Sequence, residues 1–84
     1  MTRELTRMLT VREVLKIRGC GRTKLYGDIA RGLYMSFVKT GPRSRRCPED
    51  EALEMQAAEI AEEPEEQRRT LVQNLITART GSKR

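Results

Sequence analysis

The sequence predicts a mainly α-helical domain with one small β-hairpin and an added C-terminal helix. Three observations carry that expectation. Two short amphipathic segments flank a Gly-Cys-Gly turn at residues 19–21. A stretch rich in aromatic and branched residues then leads into the turn-forming pair Gly41-Pro42. Two further helical patterns follow Pro48 and Pro64, and proline suits the opening of a helix.

The first helix has its start signal in Thr10, with Glu13 three residues on, which is the capping-box spacing. Val11, Val14, Leu15 and Ile17 trace its apolar side, and Gly19 can take the left-handed conformation that ends helices. The second helix is expected from about Arg22 to Arg31, closed by Gly32. Leu25, Ile29 and Tyr26 form its apolar side. Thr23, Gly27 and Ala30 then fall on the opposite face, flanked by Lys24 and Arg31. Gly27 costs a helix roughly 1 kcal/mol against Ala. Either that face presses closely on a partner, or Gly27 is an ordinary weak point. Two short helices joined by a three-residue glycine turn describe a helix-turn-helix.

Beyond Gly32, Leu33-Tyr34-Met35 and Phe37-Val38-Lys39 look extended. The run Thr40-Gly41-Pro42-Arg43-Ser44-Arg45-Arg46 fits a hairpin with a basic tip. Such a tip either reaches a phosphate backbone or minor groove, or is simply solvated. The hairpin turns the helix-turn-helix into a winged one. Pro48 suits the first position of a third helix, with Glu49, Asp50 and Glu51 where the helix dipole favours acids. Leu53, Ala57, Ile60 and Ala61, with Met55 alongside, are its expected core stripe. A fourth helix should run from Glu65 to about Arg79. Its stripe of Leu71, Val72, Leu75 and Ile76 either docks on the domain or pairs with another copy. The chain thus divides into a basic lead (1–8), a winged helix-turn-helix (9–62), a C-terminal helix (63–80) and a tail (81–84).

Composition narrows the function. At 84 residues the chain buries a limited core, which disfavours a large enzyme cleft. It has no His, which removes His-based acid–base chemistry and most His/Cys metal sites. No nucleophile–base set, phosphate-cradling glycine loop or metal constellation is present, so neither an enzyme nor a cofactor is expected. Cys20 and Cys47 are too far apart for a CxxC site. No apolar run approaches the roughly 18 residues of a membrane span. The expected setting is the cytoplasm, with reduced thiols and no membrane partner.

Charge is unevenly placed. Residues 1–47 hold twelve Lys/Arg and three acids, a balance of +9, while residues 48–84 hold five and nine, a balance of −4. This suggests a polyanion-binding face beside a non-binding region, against the plainer reading of a solvated surface.

The stretch Leu9-Thr10-Val11-Arg12-Glu13-Val14, then Gly19-Cys20-Gly21-Arg22-Thr23-Lys24-Leu25-Tyr26, then Arg31-Gly32, then Val38-Lys39-Thr40-Gly41-Pro42-Arg43, resembles the AlpA-type phage and prophage regulators. These belong with the MerR-like winged-helix proteins that include many excisionases. The resemblance covers roughly Leu9 to Met55. It implies a cytoplasmic bacterial protein on the nucleoid whose partner is double-stranded DNA. It implies that the helix from Arg22 enters the major groove, with Arg22, Thr23, Lys24, Gly27 and Arg31 facing DNA. Tyr26 either packs or touches phosphate. Lys39, Arg43, Ser44, Arg45 and Arg46 supply the wing's contacts to backbone or minor groove.

The resemblance leaves open a transcriptional regulator or an excisionase that bends attachment-site DNA. It equally leaves open self-association and an integrase or RNA polymerase as partner. A third reading is a protein-binding adaptor or inhibitor that reuses the fold, although the small, basic face of the second helix lacks the anchors such a partner needs. No small-molecule ligand is expected.

Several residues depart from the family pattern. Gly21 stands where a capping Ser is usual, and Cys20 where a Leu-like residue is, so Cys20 reads as a small buried hydrophobe. Cys47 and Met55 replace aromatic residues, which lightens the core around the wing. Met35 and Phe37 replace prolines, which leaves that segment freer to pair as a strand. A chain stopped after Glu63 is expected to keep monomeric DNA binding.

Overall fold

The computed structural model describes residues 5–81, with side chains through residue 79. The expected first half of the lead (residues 1–4) and most of the tail (82–84) lie outside the described residues. Helix α1 spans Val11–Arg18. Thr10 Oγ1 accepts from the Glu13 backbone N–H at 3.1 Å, and the Thr10 N–H donates to Glu13 Oε1 at 2.9 Å. Both halves of the capping box are therefore formed. That backbone bond, helped by the Arg7 guanidinium, holds the Glu13 carboxyl below its ordinary value. Gly19, at φ 66°, ends the helix in the left-handed region. Helix α2 spans Arg22–Ala30 and follows the turn directly.

The hairpin consists of β2 (Val38–Gly41) and β3 (Ser44–Pro48), so only Pro42 and Arg43 form its turn. The basic tip is thereby corrected: Arg45 and Arg46 lie on a strand, opposite Lys39 and Val38. The segment 33–37 is not a strand. Leu33, Tyr34, Met35 and Phe37 are instead buried loop residues that fill the space between α2 and the hairpin base. Met8–Leu9, read as the end of a polar lead, forms a short strand β1 on the other edge of β3. The sheet order is β1-β3-β2. Leu9 is buried because it precedes the cap and Val14 lies at the fourth helical position, the staple arrangement.

Helix α3 spans Glu49–Ile60, with Pro48 at the cap rather than the first helical position. Its expected stripe is overturned. Leu53 is 55 % and Ile60 75 % exposed, and Ala57 and Ala61 also face solvent. Ala52, Met55 and Ala58 face the core instead, together with the buried Glu51. Glu51 is tolerated inside because Arg79 donates to both of its carboxylate oxygens, at 2.6 and 2.9 Å, and to the Ser36 carbonyl at 2.9 Å.

Helix α4 spans Glu65–Gly81 and docks on its own domain. Val72 is buried, and Leu71, Leu75 and Ile76 pack against the core cluster. The helix is thus part of the core, the docked one of the two arrangements the sequence leaves open. Cys20 is half-buried against the same cluster, less enclosed than expected. Cys47 is fully buried, and burial pushes its thiol up to about 11.

An ionic fastening holds the helix-turn-helix. Arg18, at the end of α1, has only 8 % of its side chain exposed. It donates to Asp28 of α2 at 2.9 Å and to Glu59 of α3 at 2.7 Å. Its guanidinium also lies 4.5 Å from the ring centre of Tyr34. Burial opposes ionisation of Asp28, but the Arg18 bond and charge outweigh it and hold the carboxyl below its usual value. The residue types read as surface charge are here the joints between helices.

Candidate nucleic-acid interface

Helix α2 and the hairpin do not pack flush. Between them and the start of α1 lies an open groove of about 560 Å³. Its walls carry six cations: Arg12 from α1, Arg22 from α2, and Lys39, Arg43, Arg45 and Arg46 from the hairpin. Tyr26 and Pro42 supply apolar wall, and among the described residues no acidic side chain lines it. A concave surface with one sign of charge concentrates a polyanion.

Local structure sets this arrangement. The period of α2 buries Leu25 and Asp28 and half-buries Ile29. Arg22 and Tyr26, one turn apart, then fall on the flank toward the hairpin. Tyr26 is 47 % exposed, so it belongs to the surface and not to the apolar side where the sequence put it. The antiparallel register sets Lys39 directly across from Arg45 on one face of the hairpin. Arg43 occupies the turn and lines the groove from there.

The other anticipated residues divide into two groups. Thr23 and Gly27 are exposed on the outward face of α2. Apart from its chain neighbours and the backbone of its own helix, nothing lies within 4 Å of the place a Gly27 Cβ would occupy, so the domain's packing does not require glycine there. Lys24 and Arg31 sit on the far flank. Lys24 Nζ is 3.4 Å from both Asp28 oxygens, and Arg31 Nη2 is 3.3 Å from Glu65 Oε2. Ser44 pairs across the hairpin with Gly41 and does not line the groove. Arg12 does line it and was not anticipated. Its signal was available: the second helical position after a capping Thr, on the side away from Val14.

A small apolar recess of about 190 Å³ adjoins the groove, walled by Tyr26, Ile29, Phe37 and Arg45. Tyr26 and Arg45 border both, so an aromatic edge and a cation stand together at their junction.

No protein-family model matches the chain, and no curated protein or solved structure matches it. Among the described residues no helix is long and apolar enough to cross a membrane.

Proposed function

We propose that this chain is a non-catalytic regulator that binds double-stranded DNA with α2 in the major groove and the hairpin against the backbone or minor groove. The observation that carries the reading is the α2–hairpin groove, with six cations and no acid on its walls among the described residues. Phosphates are the sequence-independent ligand such a surface suits, and they fix register rather than sequence. Base reading falls to the outward face of α2, where Thr23, Gly27 and Ala30 leave the helix backbone free to approach base edges. Regulation of a prophage or integrative element, in a bacterial cytoplasm, rests on the sequence resemblance to AlpA-type regulators alone.

One observation favours a protein-binding role beside this one. Leu53 and Ile60 expose apolar surface on α3, on an acidic helix remote from the groove.

The test is selection from a random duplex library with purified protein, run near physiological salt so that phosphate binding alone is suppressed. A recovered motif of a few base pairs supports base reading by α2. Retention that vanishes with rising salt and leaves no motif overturns it.

A further inference from the structure

The two flanks of α2 are electrostatically unlike. Among the described residues the hairpin flank is lined by cations without an acid. The opposite flank meets the start of α4. Arg31 pairs with Glu65 at 3.3 Å, and Arg69, 3.8 Å from the same carboxylate, donates to the Arg31 carbonyl at 2.9 Å. Lys24 pairs with Asp28 of its own helix at 3.4 Å, beside a cleft of about 440 Å³ whose acids Glu59, Glu62 and Glu63 are matched by Arg18, Lys24 and Arg68. Lys24 of α2 and Arg31 at its C-cap therefore each lie beside a carboxylate of their own chain.

We infer that Glu65, the first residue of α4, competes in cis with DNA phosphates for Arg31, and so restrains sequence-independent binding on that flank of α2. The inference rests on the proposed DNA-binding reading of the groove. Its physics is local. The Arg31–Glu65 pair is exposed on both sides, so it is weak and a phosphate can displace it. A displaced Glu65 remains within a Debye length of about 8–10 Å and still repels the incoming strand. The groove flank carries no such cost. A duplex is thereby biased to seat from the hairpin side, and contacts made only to phosphate are penalised more than those that also read bases. Specificity gained by repulsion of the wrong mode is a general device.

The test uses the full chain and a short mixed-sequence duplex, titrated by fluorescence anisotropy over a range of salt. Glu65→Gln is expected to tighten binding several-fold and to steepen the slope of log K against log salt by up to about 0.9, the value of one further phosphate contact. Adding Arg31→Ala to Glu65→Gln should abolish both gains. Glu54→Gln makes the same charge change on the outward face of α3 and should leave the slope unaltered. An unchanged slope in Glu65→Gln, with Arg43→Ala still weakening binding, overturns the inference and leaves the groove reading standing. Equal gains from Glu54→Gln and Glu65→Gln overturn it as well, since net charge alone would then account for them. If neither the wild type nor Glu65→Gln binds the duplex, the groove reading and this inference fall together.

Discussion

Lys39 and Arg45 face each other directly across the β2–β3 pair, two cations on one face of a two-residue-turn hairpin. Like charges in that position oppose pairing. The hairpin therefore carries a repulsion that a phosphate placed between the two side chains would relieve. Lys39→Thr is expected to stabilise the domain by about 0.2–1 kcal/mol in dilute salt. The gain should shrink as salt screens the repulsion, while DNA affinity falls. Thermal melts at two ionic strengths, beside a binding titration, check both. A variant that melts lower in dilute salt contradicts the repulsion.

Arg43 stands at the turn between Gly41 and Ser44. If it meets a phosphate, Arg43→Ala should weaken binding to all duplexes alike and reduce the salt slope by about 0.9. Salt titrations on a preferred and a scrambled duplex measure this. An unaltered slope removes the turn from the backbone interface.

Gly27 separates two explanations of the α2 surface. Open space surrounds its missing Cβ, so Gly27→Ala should stabilise the free protein by up to about 1 kcal/mol. Where α2 presses into a groove, the same methyl should reduce DNA affinity. Stability and affinity moving in opposite directions is the expected outcome, read by denaturant melts and anisotropy. Rising stability with unaltered affinity would make Gly27 an ordinary weak point.

The Arg18 fastening predicts a large stability effect far from the groove. Arg18→Leu leaves Asp28 and Glu59 without their shared partner and should cost about 3 kcal/mol, lowering Tm by more than about 10 °C. Asp28 also sets a pH dependence. Its carboxyl is depressed in the folded state, so its contribution is present above the unfolded value near 3.9 and is lost as pH falls through the lower folded value. Asp28→Asn should be less stable than wild type at neutral pH, with the two converging in strong acid. Parallel melting curves from pH 7 to pH 2 would sink this account.

Stopping the chain after Glu63 removes the buried Val72 and leaves Glu51 buried without Arg79. Loss of the cooperative thermal transition by circular dichroism is the expected result. A truncated chain that melts as the full one does would return α4 to the role of a free appendage.

The first two helices were legible because their signals are local. Thr10, Glu13 and Gly19 act within one turn of where they stand, and the chain follows them. The third helix turns a different face inward from the one its apolar periodicity suggests. Glu51, Ala52, Met55, Ala58 and Glu59 keep the same 3.6-residue period, but two are acids and two are small. Their inward turn depends on Arg79 and Arg18, 28 and 41 residues away in sequence. No local pattern carries such pairings. The same reason hid Asp28, whose buried role is set by Arg18 ten residues earlier. In the groove, all the cations but Arg12 were legible, but the placing of Lys24 and Arg31 on the other flank of α2 was not. Glu65 decides that placing for Arg31, and it enters from a different helix.

The sheet has one further consequence. Strand β1 covers one edge of β3, which leaves β2 as an outer edge whose backbone is open to another strand. Open edges of this kind invite copies of a protein to stack into fibres. Lys39 on that edge, with Pro42 beside it, makes the approach of an identical edge unfavourable. The cations proposed to hold nucleic acid thus also guard the chain's colloidal behaviour, and stripping them away would trade a loss of binding for a tendency to precipitate.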